Sequence, residues 1–182
     1  MRLTRLCIPL FALLMTAQAD ARPLDSTETE TLDKALKVYF QAISGADADG
    51  IVAALPPRIL NVFAGATGIE TSKLRAVLAE QTRTLIKGTS FRDVTADETA
   101  LDAEDSALSN GTRITWVLIP TAFVSETKGK ATHNEQPLLA VHEMGKWNFL
   151  RIDNRERRDL AAIAYPFLKD EKFPEAKLRG IE

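Results

Sequence analysis

Ala103-Glu-Asp-Ser-Ala-Leu108-Ser109-Asn110-Gly111-Thr112-Arg113-Ile-Thr-Trp-Val-Leu-Ile119 is the stretch that decides the fold. Asn-Gly marks a tight hairpin, because the favoured two-residue turn needs positive φ at both central positions. The seven residues from Arg113 are rich in β-branched and aromatic side chains, as suits a half-buried strand. Strands over residues 103–108 and 112–125 are expected to pair across this turn. Residues 136–143 and 146–153 read as a second hairpin across Met144-Gly145, and residues 89–95 as a further strand. Lys128-Gly129-Lys130 reads as a polar loop, as does Ala131-Thr-His133-Asn-Glu135.

Upstream of Gly88 the apolar period is helical. Thr27 and Glu30 form a capping-box pattern. Leu32, Leu36, Tyr39, Phe40 and Ile43 make one stripe, with Phe40 expected to face the sheet. Gly45 would close this helix. Asp47 would cap a short helix over 49–55. Pro57 would open another over 57–64, and Thr71 or Ser72 a longer one to Ile86. A last helix is expected over 154–165, with an irregular tail beyond Pro166 and Pro174. Helices, then strands, then a helix make an α+β chain. The expected arrangement is an antiparallel sheet of four to five strands, N-terminal helices packed on it, and a C-terminal helix.

The first residues give an address. Arg2 and Arg5 precede an apolar run over 8–15, and Ala17-Gln-Ala19 and Ala19-Asp-Ala21 follow. That order matches a secretory signal peptide over residues 1–21, cut after Ala19 or Ala21. The run is too short for a permanent membrane span. Residues 22–182 then form a single exported domain, periplasmic or secreted. The chain carries 23 Lys and Arg against 25 Asp and Glu. Losing Arg2 and Arg5 leaves 21 against 25 if Asp20 stays, a net of −4. Such a balance offers no field for nucleic acid or an anionic membrane. Arg151, Arg155, Arg157 and Arg158 cluster, but Asp153, Glu156 and Asp159 interleave, which reads as a solvated, self-paired surface. The lone Cys7 leaves with the signal, which removes disulfides, thiol catalysis and cysteine-bound metal from the mature domain. A cysteine-free exported domain points to a bacterial periplasm.

Few residues carry chemistry. His133 and His142 are the only histidines, nine apart, and lack metal-ligand spacing. No cofactor is expected. A two-residue turn at Met144-Gly145 would pair His142 with Trp147, Ala140 with Phe149 and Leu138 with Arg151, all on one face. The same rule at Asn110-Gly111 would pair Asp105 with Trp116. A carboxylate on an apolar face has a raised pKa, which suits a general base. A slip of one residue would instead put Asp105 in solvent.

Tyr39-Phe-Gln-Ala-Ile-Ser-Gly-Ala-Asp47-Ala-Asp49-Gly-Ile-Val-Ala-Ala-Leu55 resembles the opening of nuclear-transport-factor-2-like domains, where an amphipathic helix ends near a Gly-Asp turn and a short helix follows. Gly145-Lys-Trp147-Asn-Phe149-Leu-Arg-Ile152 resembles their closing strand. The resemblance implies a curved sheet wrapped around a long helix, with a cone-shaped pocket. It covers about 25 residues at the two ends of the domain. The helix over 71–86 and the C-terminal helix and tail depart from that pattern.

Three readings remain open. The first is a non-catalytic exported domain that binds a small apolar ligand or a protein partner, with Trp116, Phe149 and Arg151 as ligand-binding candidates. The second is an isomerase- or dehydratase-type enzyme, with Asp105 as base and His142 or Tyr39 as orienting donor. The third is an accessory or inhibitor protein acting through its surface. A cavity lined by Trp116, Phe149 and a carboxylate would favour the second.

Overall fold

The structure, a computed structural model, describes residues 21–181. The expected signal peptide lies outside the described residues, Ala21 excepted. Among the described residues no helix is long and apolar enough to cross a membrane.

Chain order is β1 (Arg22–Pro23), α1 (Ser26–Ser44), α2 (Ala48–Ala53), α3 (Pro57–Thr67), α4 (Thr71–Ile86), β2 (Thr89–Ala96), β3 (Asp102–Ala107), β4 (Arg113–Thr127), β5 (Lys130–Glu143), β6 (Lys146–Arg151), α5 (Arg155–Ala164), a 3₁₀ turn (Pro166–Leu168) and β7 (Lys177–Ile181). The α+β class holds. The sheet is open, curved and antiparallel, with seven strands rather than four to five. Its path is β1-β3-β4-β5-β6. β2 pairs with β4 beyond β3, and β7 with β5 beyond β6.

Helix starts follow side-chain capping where a capping side chain exists. α1 opens at Asp25, whose carboxylate takes the Glu28 N–H while the Glu28 side chain takes the Asp25 N–H. This reciprocal box lies two residues before the expected Thr27–Glu30 pair. Asp47 caps α2 and Asn154 caps α5. α3 starts at Pro57 and runs to Thr67, three residues past expectation, because Gly68 rather than Gly65 takes the left-handed closing conformation. α4 starts at Thr71 itself, without a side-chain cap.

The hairpins obey turn length. Met144 and Gly145 both have positive φ, 54° and 75°, as the tight two-residue turn requires. The β5–β6 register is therefore the expected one. Lys128 and Gly129 repeat this geometry. The stretch expected as a loop is a turn followed by the first half of β5, so His133 lies in a strand. At Asn110-Gly111 the outcome differs. Leu108 N–H donates to Thr112 O, and Gly111 N–H to Leu108 O. The loop is thus three residues, Ser109-Asn110-Gly111, with Gly111 at φ 80°. That moves the register by one. Glu104 faces Trp116, and Asp105 faces Thr115.

Each face of the sheet buries its own core. On one face Leu32, Leu36, Tyr39 and Ile43 of α1 pack on Val117, Ile119, Leu138, Ala140, Trp147 and Phe149. On the other, Ile59 of α3 and Ala161, Ala164, Tyr165 and Leu168 cover Ile114, Trp116, Leu139, Val141, Leu150 and Ile152. Alternation along a strand sends neighbouring residues to opposite faces. The apolar runs of β4, β5 and β6 follow, because both faces are covered. Within the second core Glu143 is buried, and takes hydrogen bonds from Arg58 (2.8 Å) and Tyr165 (2.9 Å). Burial and the nearby Glu143 charge raise the Tyr165 hydroxyl pKa.

The expected irregular tail is partly a strand. β7 pairs with residues Ala131 to Glu135 of β5. Its side chains are all exposed, so backbone pairing holds it more than burial.

Candidate functional site

The ligand-binding trio expected from the sequence does not form one site. Phe149 and Arg151 point to the α1 face, but Trp116 faces the other way. The pairing shows it: Trp116 lies opposite Val141, while Phe149 lies opposite Ala140. Trp116 stacks near Phe167 and donates to Ser106 Oγ at 3.2 Å.

Asp105 lies at the exposed margin of the α1 face, not beside Trp116. Its side chain is 49% exposed and pairs with Arg22 at 2.7 Å. Thr115 also donates to it at 2.7 Å. Arg22 and Thr115 hold its carboxyl below the ordinary value, against a burial effect of opposite sign. Arg22 also clamps Glu28 through two 2.7 Å bonds. This network ties β1, α1 and β3 together, and an anion so stabilised is a poor base.

The carboxylate beside Trp116 is Glu104. Burial, then the Glu171 charge, raises its pKa. The slip of one residue that would put Asp105 in solvent is the outcome found, and it brings Glu104 to the position opposite Trp116. One loop residue separates the two registers.

His142 lies over Trp147, ring centroids 4.9 Å apart, and Trp147 donates to Thr31 at 3.1 Å. Arg151 shares their face. Four residues separate Trp147 from Arg151, about 13 Å at strand rise. His142 and Arg151 therefore do not converge. Tyr39 does meet Phe149, stacked at 5.0 Å. The space beside Tyr39, bounded also by Phe40, Phe123, Gln136 and Arg151, is about 10 Å³. That is room for about one water. The α1 face is filled. His133 lies 3.4 Å from Glu135, and no metal-holding group of His, Cys, Asp and Glu occurs among the described residues.

The open space is on the other face. A groove of about 510 Å³ lies over β4 and β5, where α3 and α5 no longer cover the sheet. Its floor is Leu118, Pro120, Ala122 and Pro137. Thr95 and Asp97 flank it on one side, and Pro174, Glu175 and Lys177 on the other. Asp97 sits at the rim, its carboxylate held by the Thr99 N–H (3.1 Å) and hydroxyl (2.6 Å), which lower its pKa. Lys177 and Arg179 approach Glu135 at 3.9 and 3.5 Å. The chemistry is an apolar floor with charge confined to the rim.

Sequence reasoning missed this groove. Its signal was the pair of prolines inside strand-like runs, since proline inside a sheet marks a place where pairing is interrupted.

No known family model, curated protein or solved structure matches this chain.

Proposed function

We propose that this chain is an exported, non-catalytic domain that binds a small apolar ligand in the groove over β4 and β5. The groove itself carries the reading. Its volume falls within the range of small-molecule sites, and those are mostly apolar with a few placed polar groups. An enzyme of the isomerase type needs a carboxylate with a raised pKa at the substrate. Glu104 has the raised pKa but is not among the groove's lining residues, and rim Asp97 is shifted the opposite way. This favours binding over catalysis. The amphipathic α1 against a curved sheet supports placement among nuclear-transport-factor-2-like domains, but the ligand would lie on the face opposite α1 and not in the cone-shaped pocket that the resemblance implies. The basic, apolar, A-x-A order of residues 1–21 supports export to the periplasm or outside the cell.

The test uses the purified mature protein and a neutral fluorescent probe, N-phenyl-1-naphthylamine. Saturable one-to-one binding is expected. Ala122→Trp, which fills the floor from an already half-buried position, should abolish it and leave the melting temperature within a few degrees. Failure of the probe to bind, or equal binding by Ala122→Trp, overturns the proposal.

A further inference from the structure

The arginine cluster at the β6–α5 junction is not the solvated, self-paired surface its interleaved charges suggest. Arg155 does pair outward with Asp159, its side chain 85% exposed. Arg151 and Arg157 instead converge on one carboxylate. Arg151 Nη2 donates to Asp153 Oδ2 at 2.7 Å, and Arg157 Nε stands 3.2 Å from Asp153 Oδ1, outside hydrogen-bond alignment. Asp153 is the most covered of the three, with 18% of its side chain exposed against 32% for Arg151 and 41% for Arg157. Two guanidinium groups therefore share one anion beneath them.

Two buried atoms there lack a hydrogen-bond partner among the described residues, one a donor, Arg151 Nε, and one an acceptor, Asp153 Oδ1. Arg151, the Tyr39 ring and Gln136 bound the same small void. Arg157 also lies in the first turn of α5, where the helix dipole disfavours positive charge. Burial and the Arg151 charge both act against its protonated form. Like charges held together, partly desolvated and half-neutralised, gain most from a second anion.

We propose that Arg151 and Arg157, oriented by Asp153, form a binding site for an oxyanion group of a small molecule. The anion would lie against the exposed edges of both guanidinium planes, with Asp153 fixing their directions from below. Planar guanidinium forks suit carboxylate and phosphate alike. This site faces the α1 side of the sheet, because Arg151 pairs with Leu138 of that core. Neither Arg151 nor Arg157 is among the residues that line the groove.

The test titrates the mature protein with inorganic phosphate and, separately, with benzoate, at constant ionic strength set by chloride. Binding is read by calorimetry and by the arginine Nε–Hε nuclear resonance signals. Saturable binding of either probe is expected, with shifts at Arg151 and Arg157 and none at Arg155. The tighter probe tells a bare oxyanion from a carboxylate on an apolar body. Arg157→Gln, a half-exposed position whose loss leaves the Arg151–Asp153 bond intact, should weaken binding about tenfold or more. Arg155→Gln should leave it unchanged. An adventitious response would be non-saturable, or equal in Arg157→Gln and Arg155→Gln, and would overturn the proposal. So would the absence of binding by both probes.

Discussion

Pro120 and Pro137 lie directly opposite each other on the two central strands. Their carbonyls point away from each other. Asp97 donates to Pro120 O at 2.9 Å, and Ile152 donates to Pro137 O at 3.0 Å. Each proline supplies one half of the next ladder rung and, lacking an N–H, withholds the other. β2 pairing ends one rung earlier, at Ala96–Thr121, and β6 pairing at Leu138–Arg151. The two flanking strands stop where the prolines sit, and the groove floor lies there. Pro120→Ala restores a donor facing Asp97. Hydrogen exchange should show a slowed amide at residue 120. Stability should change by less than about 1 kcal/mol, since the new rung offsets the freer unfolded chain. A fast-exchanging amide at 120 would refute this account.

Tyr39 rather than Phe40 anchors α1. Tyr39 is 5% exposed and stacked on Phe149, while Phe40 is half-buried beside it. Tyr39→Ala should cost about 3–5 kcal/mol in urea unfolding, and Phe40→Ala clearly less. The stripe of α1 was legible, but which of two adjacent aromatics faces inward depends on a rotation that periodicity leaves open.

Adjacent carboxylates on β3 should answer pH in opposite ways. The lowered pKa values of Asp105 and Glu28 mean that their ion pairs with Arg22 stabilise the fold above the ordinary carboxylate values, 3.8 and 4.5. That contribution fades as pH falls through the folded-state values below them. Arg22→Ala should weaken the protein at neutral pH by at most about 1 kcal/mol, the network being half exposed, and flatten the acid limb. Glu104 is raised, so the fold loses stability as pH climbs from 4.5 to its folded-state value. Glu104→Gln should therefore stabilise the protein at pH 7 and leave it unchanged at pH 3. Urea titrations at both pH values check the pair.

Removing the Tyr165 hydroxyl leaves one oxygen of buried Glu143 without its donor. Tyr165→Phe should cost about 1–3 kcal/mol, the usual penalty for a buried polar group left unmatched. Chemical denaturation measures it. A neutral result would mean that water replaces the phenol.

Reading the sequence succeeded where a local rule fixed geometry. Met144-Gly145 sets the pairing of His142 with Trp147 and of Leu138 with Arg151, and both are found. It erred at Ser109-Asn110-Gly111, because Asn-Gly serves equally as the second half of a three-residue loop. β7 escaped notice because Lys177, Leu178, Arg179, Gly180 and Ile181 bury nothing, so no hydrophobic period marks them. The candidate site split at another turn. Lys128-Gly129 sets Trp116 opposite Val141, and a strand's side-chain period of two puts Val141 on the face away from its neighbour Ala140 and from Phe149.

The β7–β5 pairing has a kinetic consequence. β4, β5 and β6 are joined by two-residue turns, so their contacts close over short stretches of chain and form early. β7 must return across β6 and α5 to reach Ala131 to Glu135, a far longer closure. The Pro174–Lys177 wall belongs to that last step. Binding competence is thus expected to trail secondary-structure formation during refolding, and a ligand in the groove would act as a late clasp on an already assembled meander.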